Sequence, residues 1–223
     1  MGWIIRALNS SIGKKFVMAV TGICLILFLV IHLVNNLTLY AGPDLFNTVV
    51  KNLDSIKPLI RVIEAILVLI FIFHIFSGVR LWYQNRKARP QKYTVNGSSK
   101  NTDVYSRTMI WSGSIIFIFL AIHLNTFWVS FNLGHPLADV HNYYQIVVEG
   151  FQNPIYSGFY IVAMILLGFH LNHGFQSTFQ TFGWNHKKYF PLIQKLGFIY
   201  TIIMVIGFAS IPVYFLFFYG GNL

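Results

Sequence analysis

The sequence predicts an all-α membrane protein that crosses the bilayer five times. Of its 223 residues, 56% are hydrophobic and only 10% are charged, and the mean hydropathy is +0.62. Those values lie outside the range of soluble globular domains and are typical of polytopic membrane proteins. The 22 Phe and 12 Tyr residues fit a bundle packed by bulky side chains, with aromatic bands at the membrane interfaces.

Five apolar segments are each long enough to cross the hydrocarbon core of a bilayer, which takes about 20 residues of helix. We predict helices at about 16–39, 59–82, 108–131, 155–179 and 196–219. All five are expected to be helical because a helix satisfies its own backbone hydrogen bonds in lipid. Residues 1–223 are expected to form a single integral-membrane domain, with four of the helices forming a bundle.

The distribution of charge predicts the orientation of the chain. The N-terminal segment and the second and fourth connections hold 13 of the 16 Lys and Arg residues, whereas the first and third connections hold most of the acidic ones. By the positive-inside rule, the N-terminus is expected in the cytoplasm and the C-terminus outside. The formal charge of +10 is therefore mainly a topology signal, and no nucleic-acid motif accompanies it. We expect membrane lipid, and no nucleic acid, as a partner.

Each of the first four predicted helices carries one histidine at a similar depth. These are His32, His74, His123 and His170, in the contexts FLVIHLV, FIFHIFSG, FLAIHLN and LLGFHLN. Each lies about 15 or 16 residues, or roughly 24 Å, from the start of its predicted helix. Because successive helices alternate in direction, His32 and His123 are expected near the outer face, and His74 and His170 near the cytoplasmic face.

Two imidazoles that face each other across a bundle are the axial ligands of a non-covalently bound b-type haem. The sequence therefore predicts two haem b groups, separated by roughly 15–20 Å along the membrane normal. The single cysteine, Cys24, excludes an internal disulfide, a thiolate zinc site and the covalent attachment of c-type haem. Any one intramembrane histidine could equally be a packing residue or part of a proton relay. One histidine on each of four helices at matched depth favours haem.

Glycines near the histidines support this interpretation. Gly78 and Gly174 lie four residues after His74 and His170, on the same helix face, where a missing side chain lets a flat macrocycle approach. His173 has no such glycine. We therefore predict His170 as the ligand and His173 as a residue behind it or beside a quinone.

The outer pair has a matched feature of its own, because Gly22 and Gly113 each lie ten residues before the histidine of their helix. Arg80 and Lys15 are candidate partners for the propionates of the inner haem, on grounds of charge and depth. The second connection, with Arg80 just before it, carries seven cations. That connection is a candidate docking surface for a soluble subunit, although a solvated cytoplasmic loop has the same composition.

Four stretches of the chain together resemble one known family. They are SSIGKKFVMAVTGICLILFLVIHL, FHIFSGVRLW, FLAIHLNTF, and GFHLNHGF followed by FGW. They are similar to the single-chain, five-helix di-haem cytochrome b subunits that anchor bacterial succinate dehydrogenases and fumarate reductases. The resemblance covers nearly the whole chain.

The resemblance implies that His32 and His123 ligate a distal haem, and that His74 and His170 ligate a proximal one. It also implies a quinone, commonly menaquinone, in the bacterial cytoplasmic membrane, and a flavoprotein and an iron–sulfur subunit docked on the cytoplasmic side. Succinate chemistry would belong to those partners and not to this chain. Some members have a glutamate two residues before the fourth ligand; Gly168 stands there, which argues against a proton pathway of that kind.

Two other functions fit parts of the pattern. A di-haem quinone cytochrome of a hydrogenase or a nitrate reductase would use the same haem arrangement with different partners. A proton-coupled transporter would use the histidines as a relay, but such proteins normally have internal repeats, broken helices and intramembrane acids.

Overall fold

The computed structural model describes residues 2–88 and 104–220, and these two ranges fold into helices without any strand. In chain order, the helices are α1 (Gly2–Asn9), α2 (Ser11–Leu37), α3 (Pro43–Ser55), α4 (Lys57–Lys87), α5 (Val104–His123), α6 (Ser130–Asn132), α7 (Pro136–Asp139), α8 (Tyr143–Gln152), α9 (Pro154–Thr181) and α10 (Phe190–Phe217). A 3-10 helix, Thr38–Ala41, continues α2, and a π-helical segment, Leu124–Val129, joins α5 to α6. The predicted all-α fold is therefore confirmed.

Five of these segments are long and apolar enough to cross a membrane, which confirms the number predicted from the sequence. They are Ser11–Ala41, Lys57–Lys87, Ser106–Asn132, Pro154–Thr181 and Phe190–Phe217. Each begins earlier than the predicted apolar segment, because the helical backbone extends beyond the residues that match the hydrocarbon core. The two ends of α4, Lys57 and Lys87, are charged residues of this kind.

Local sequence signals determine where the connecting helices begin. Gly42 has a φ of 95°, in the left-handed region that suits glycine, and Pro43 follows as the first residue of α3. Asn142 caps α8, since its side-chain oxygen accepts a backbone hydrogen bond at 3.3 Å. Asn153 caps α9 in the same way and accepts backbone hydrogen bonds at 3.0 and 3.1 Å.

The chain packs as two compact units, and each of the five transmembrane helices contributes residues to both. Unit 1 is Met1–Phe28, Glu64–Ser112 and Phe169–Thr201, and unit 2 is Leu29–Ile63, Gly113–Gly168 and Ile202–Leu223. Unit 1 therefore contains His74 and His170, whereas unit 2 contains His32 and His123.

In unit 1, an aromatic side chain packs against a glycine of α10. A Cβ added to Gly197 would lie 2.6 Å from Phe175 Cδ1, so the Phe175 ring occupies the space beside this glycine. The same ring stacks on Tyr200, with centroids 5.8 Å apart and planes at 27°. The Tyr200 hydroxyl donates to the backbone oxygen of Ile26 at 3.0 Å. Small residues allow this close approach of helices in a membrane, where van der Waals packing drives helix association.

In unit 2, the short helix α8 contributes six buried side chains to an aromatic cluster. They are Tyr143, Tyr144, Ile146, Val147, Val148 and Phe151. Phe151 stacks against Phe215 of α10, with ring centroids 6.4 Å apart and planes at 8°. The backbone N–H of Tyr144 donates to the side-chain oxygen of Asn47 at 2.8 Å, which joins α8 to α3.

The packing of Leu33 on Gly207 in unit 2 yields a testable prediction. A Cβ at Gly207 would lie 2.8 Å from both Leu33 methyl carbons, and Leu33 is only 4% exposed. Gly207→Val should therefore lower the stability of the folded protein by about 1–3 kcal/mol through overpacking. The measurement is the thermal unfolding midpoint of the purified protein in detergent.

Gly158→Val is the matched control, because no atom lies within 4 Å of the Cβ that it adds. Both substitutions place the same β-branched residue in a transmembrane helix. Equal unfolding midpoints for the two variants would contradict the predicted contact.

Candidate functional site

The four predicted histidines come together as two pairs, each formed between two helices. In unit 1, His74 of α4 faces His170 of α9, with ring centroids 6.2 Å apart and planes at 63°. In unit 2, His32 of α2 faces His123 at the end of α5, with centroids 5.9 Å apart and planes at 88°. These are the same two pairs that alternating helix direction predicts.

The separation within each pair fits a single metal ion held between two imidazoles. A metal–imidazole bond is about 2 Å long, so two ligands on opposite sides of one ion place their nitrogens about 4 Å apart and their ring centroids roughly 6 Å apart. Both observed separations, 6.2 and 5.9 Å, agree with that value. Within residues 2–88 and 104–220, no group of three or more His, Cys, Asp or Glu side chains converges on one point. Each pair would therefore supply two protein ligands to a metal ion, and further ligands would have to come from a bound group.

In unit 1, one hydroxyl group lies against each imidazole. The two hydroxyls come from two further helices, α2 and α5. Thr21 Oγ1 of α2 is 3.2 Å from His74 Nδ1. Ser112 Oγ of α5 is 3.4 Å from His170 Nδ1. Both residues are buried, with exposed fractions of 9% for Thr21 and 2% for Ser112. The sequence analysis did not single out either residue.

Gly22 lies beside His74 and not, as predicted, in the surroundings of the His32 pair. A Cβ on Gly22 would be 3.7 Å from His74 Cε1. The reason is distance along the helix, because ten residues span about 15 Å and move Gly22 away from the histidine of its own helix.

The two glycines predicted for the His74 pair have different surroundings. A Cβ on Gly78 would lie 3.4 Å from Met18 Cε, whereas nothing lies within 4 Å of one on Gly174.

Aromatic rings surround the pair in unit 2. The ring of His123 stacks on Phe119, with centroids 5.5 Å apart and planes at 29°, and lies 5.3 Å from Phe127 and 6.1 Å from Tyr160. His32 lies 5.7 Å from Phe208.

The Nδ1 atom of His123 is buried and has no hydrogen-bond partner among the residues that the structure describes. A buried polar atom without a partner is uncommon and costs free energy. The π-helical segment Leu124–Val129 begins immediately after His123. Such segments are rare and are frequently found at functional sites.

A cavity of about 90 Å³ adjoins both rings of the unit 2 pair. Its polar lining comes from His32, Asn35, Asn36 and His123, and its apolar lining from Phe46, Val50, Phe127, Phe131, Val147, Phe151, Tyr160 and Ile211. The side-chain amide of Asn36 donates to the backbone oxygen of His32 at 2.7 Å. A porphyrin is larger than this cavity, so its binding requires the apolar side chains around the pair to move apart.

The remaining predicted site residues lie in unit 1, apart from Gly113 in unit 2. Arg80 donates to the side-chain oxygen of Asn9 at 3.1 Å, and Lys15 is exposed. His173 is half-buried, one turn after the histidine that pairs with His74.

The second connection, predicted as a docking surface, is described only in part. Arg89, Lys92 and Lys100 lie outside the described residues. Beside it, Lys14 Nζ donates to Gln84 Oε1 at 2.8 Å, a contact that the sequence analysis missed.

Comparison with known proteins connects part of the chain to one family. Residues 16–92 match the family model described as succinate dehydrogenase/fumarate reductase transmembrane subunit. The match spans about a third of the 223 residues and confirms the resemblance over that part. It includes His32 and His74, whereas His123 and His170 lie beyond it. No curated protein and no solved structure matches the chain.

Proposed function

We propose that this chain, which matches a succinate dehydrogenase/fumarate reductase transmembrane subunit over residues 16–92, is the membrane cytochrome b of such a complex. It would pass electrons between a membrane quinone and soluble redox subunits through two bis-histidine haems. The observation that carries the proposal is the spacing of the two histidine pairs, 6.2 and 5.9 Å, on helices able to cross a membrane.

The residues of this chain would hold the haems without covalent bonds. His74 and His170 would be the axial ligands of the proximal haem, and His32 and His123 those of the distal haem. Each haem would supply one-electron exchange at an iron that has no open coordination position. The helices around each pair keep water away from the histidines with apolar and aromatic side chains, including Phe119 stacked on His123.

The groups around the proximal pair would accommodate the edges and faces of the macrocycle. Gly78 and Gly174 lie four residues after the two ligands, so they leave room on the same helix faces. Gly22 borders the His74 ring, whereas Gly113, in unit 2, is proposed to leave room beside the distal haem.

Arg80 and Lys15 are proposed to pair with the propionates of the proximal haem. Arg80 is held near the end of α1 by Asn9, while Lys15 is exposed. His173 is proposed to lie behind the ligand His170 or beside a quinone.

The cytoplasmic partners would be a flavoprotein and an iron–sulfur subunit, which carry out the interconversion of succinate and fumarate. The family resemblance implies a bacterial cytoplasmic membrane, and the charge distribution supports an orientation with the N-terminus inside and the C-terminus outside. The cations of the second connection would form part of the docking surface. Menaquinone is the proposed quinone, since it is common in the family that the chain resembles.

Two other functions compete with this proposal. A di-haem cytochrome of a hydrogenase or nitrate reductase would use the same histidine pairs, and the family match of residues 16–92 favours the succinate type over it. A proton-coupled transporter with a histidine relay would contain no pigment. The opposed rings at metal-ligand separation favour haem over the relay.

We predict that the purified complex contains two b-type haems per copy of this chain. His170→Ala should remove one of the two haems, because it deletes an axial ligand of one pair. Haem content per chain and the reduced-minus-oxidised visible spectrum measure this loss.

His173→Ala is the control for the neighbouring imidazole, and both haems should remain in that variant. A complex without pigment, isolated from haem-replete cells, would exclude both cytochrome proposals. Loss of a haem in His173→Ala, with both retained in His170→Ala, would reverse the assignment of the ligand.

We also predict that a tagged copy of this chain co-purifies with a subunit that holds a covalent or tightly bound flavin. The purified complex should reduce a menaquinone analogue when succinate is added. His32→Ala should diminish that reduction, since it breaks the distal pair. Quinone reduction driven by hydrogen, or quinol oxidation driven by nitrate, in place of the succinate reaction would favour the other cytochrome classes.

A further inference from the structure

We propose that Thr21 and Ser112 are positioning residues that determine the tautomer and the donor strength of His74 and His170. This inference rests on the proposed haem-binding function and concerns the pair in unit 1. Each hydroxyl comes from a helix that carries neither of the two histidines of that pair. Thr21 lies on α2 and Ser112 on α5, whereas the imidazoles belong to α4 and α9.

The direction of the hydrogen bond at Thr21 follows from its other contacts. A threonine hydroxyl has one hydrogen to donate and lone pairs that accept. The Thr21 hydroxyl donates to the backbone oxygens of Val17 at 2.8 Å and Met18 at 3.1 Å. We assign this hydrogen to the Val17 oxygen, the shorter of the two contacts, so Oγ1 accepts from His74, whose Nδ1 is 3.2 Å away. The hydrogen in that bond belongs to Nδ1 of the imidazole.

Ser112 repeats this arrangement on the opposite side of the pair. Its hydroxyl donates to the backbone oxygen of Met109 at 3.2 Å, so Oγ accepts from His170, whose Nδ1 is 3.4 Å away. Both imidazoles of the pair therefore carry their hydrogen on Nδ1. The lone pair of each ring then lies on Nε2, the nitrogen available to a metal ion.

The two pairs differ in the groups beside Nδ1, and in unit 2 the side-chain amide nitrogen of Asn36 lies 3.4 Å from His32 Nδ1. His123 Nδ1 in unit 2 is buried without a hydrogen-bond partner among the described residues. Where a ligating histidine donates its second N–H to an acceptor, the ring is held in orientation and becomes more basic. A more basic axial ligand stabilises ferric over ferrous iron and lowers the reduction potential of that haem. The hydroxyls of Thr21 and Ser112 thus lower the potential of the unit 1 haem relative to the same site without them.

The test is a potentiometric titration of the purified complex, followed through the visible haem bands. Thr21→Val keeps the shape of the side chain and removes the acceptor, and Ser112→Ala removes the other acceptor. Each substitution should raise the reduction potential of one haem by about 59 mV. That shift is a tenfold change in the equilibrium constant of a one-electron reduction. The potential of the second haem should stay unchanged. The electron paramagnetic resonance signal of the same low-spin ferric haem should shift with it.

Thr181→Val is the matched control, because the Thr181 hydroxyl donates to the backbone oxygen of Ser177 at 2.8 Å and has no hydrogen bond to a histidine among the described residues. Thr21→Ser, which keeps the acceptor, should retain the wild-type potential. If Thr21→Val loses the pigment while Thr21→Ser keeps it, the positioning role is supported by the rescue.

Failure of this inference is distinct from failure of the proposed function. A wild-type complex without two haems would contradict the function itself. Two haems in the wild type, with Thr21→Val and Ser112→Ala shifting neither potential more than Thr181→Val does, would overturn the positioning role and leave the function standing. Equal loss of pigment in Thr21→Ser and Thr21→Val would also overturn it, because the serine retains the hydroxyl.

Discussion

An imidazole at membrane depth needs a polar partner, since lipid offers none, and this constraint organises the candidate site. In the structure, each of the four histidines meets a histidine of another helix at about 6 Å. Four of the five transmembrane segments are therefore joined two by two through these rings. A shared metal ion would convert each contact into two metal–ligand bonds.

The surroundings of the two pairs are chemically different. Hydroxyl groups of Thr21 and Ser112 lie against the imidazoles in unit 1. Aromatic rings, including Phe119 and Phe127, pack around His123 in unit 2, and a small cavity with two asparagines adjoins that pair. Because hydrogen bonding and polarity around the axial ligands tune the potential of a haem, two such sites in one chain would be unequal.

A dipeptide pattern links the glycines noted in the sequence to the hydroxyl groups that contact the histidines. Thr21 directly precedes Gly22, and Ser112 directly precedes Gly113. Each pair of residues lies ten to eleven positions before a histidine on its own helix, but its hydroxyl contacts a histidine of the other pair. The regular spacing was visible in the sequence, and its meaning was not, because about 16 Å of helix separates the two ends of the motif.

The sequence by itself determined the five helices, the common offset of His32, His74, His123 and His170 from the start of their helices, and the way that they pair. Hydropathy, helical rise and alternating direction are properties of the chain along one axis, so they can be read without coordinates. The tertiary structure alone decided the hydroxyl partners, the place of Gly22 beside His74 and the π-helical segment after His123. Those features depend on the rotation of each helix about its own axis and on its lateral neighbours. Close packing of many side chains fixes that rotation, and no single segment contains it.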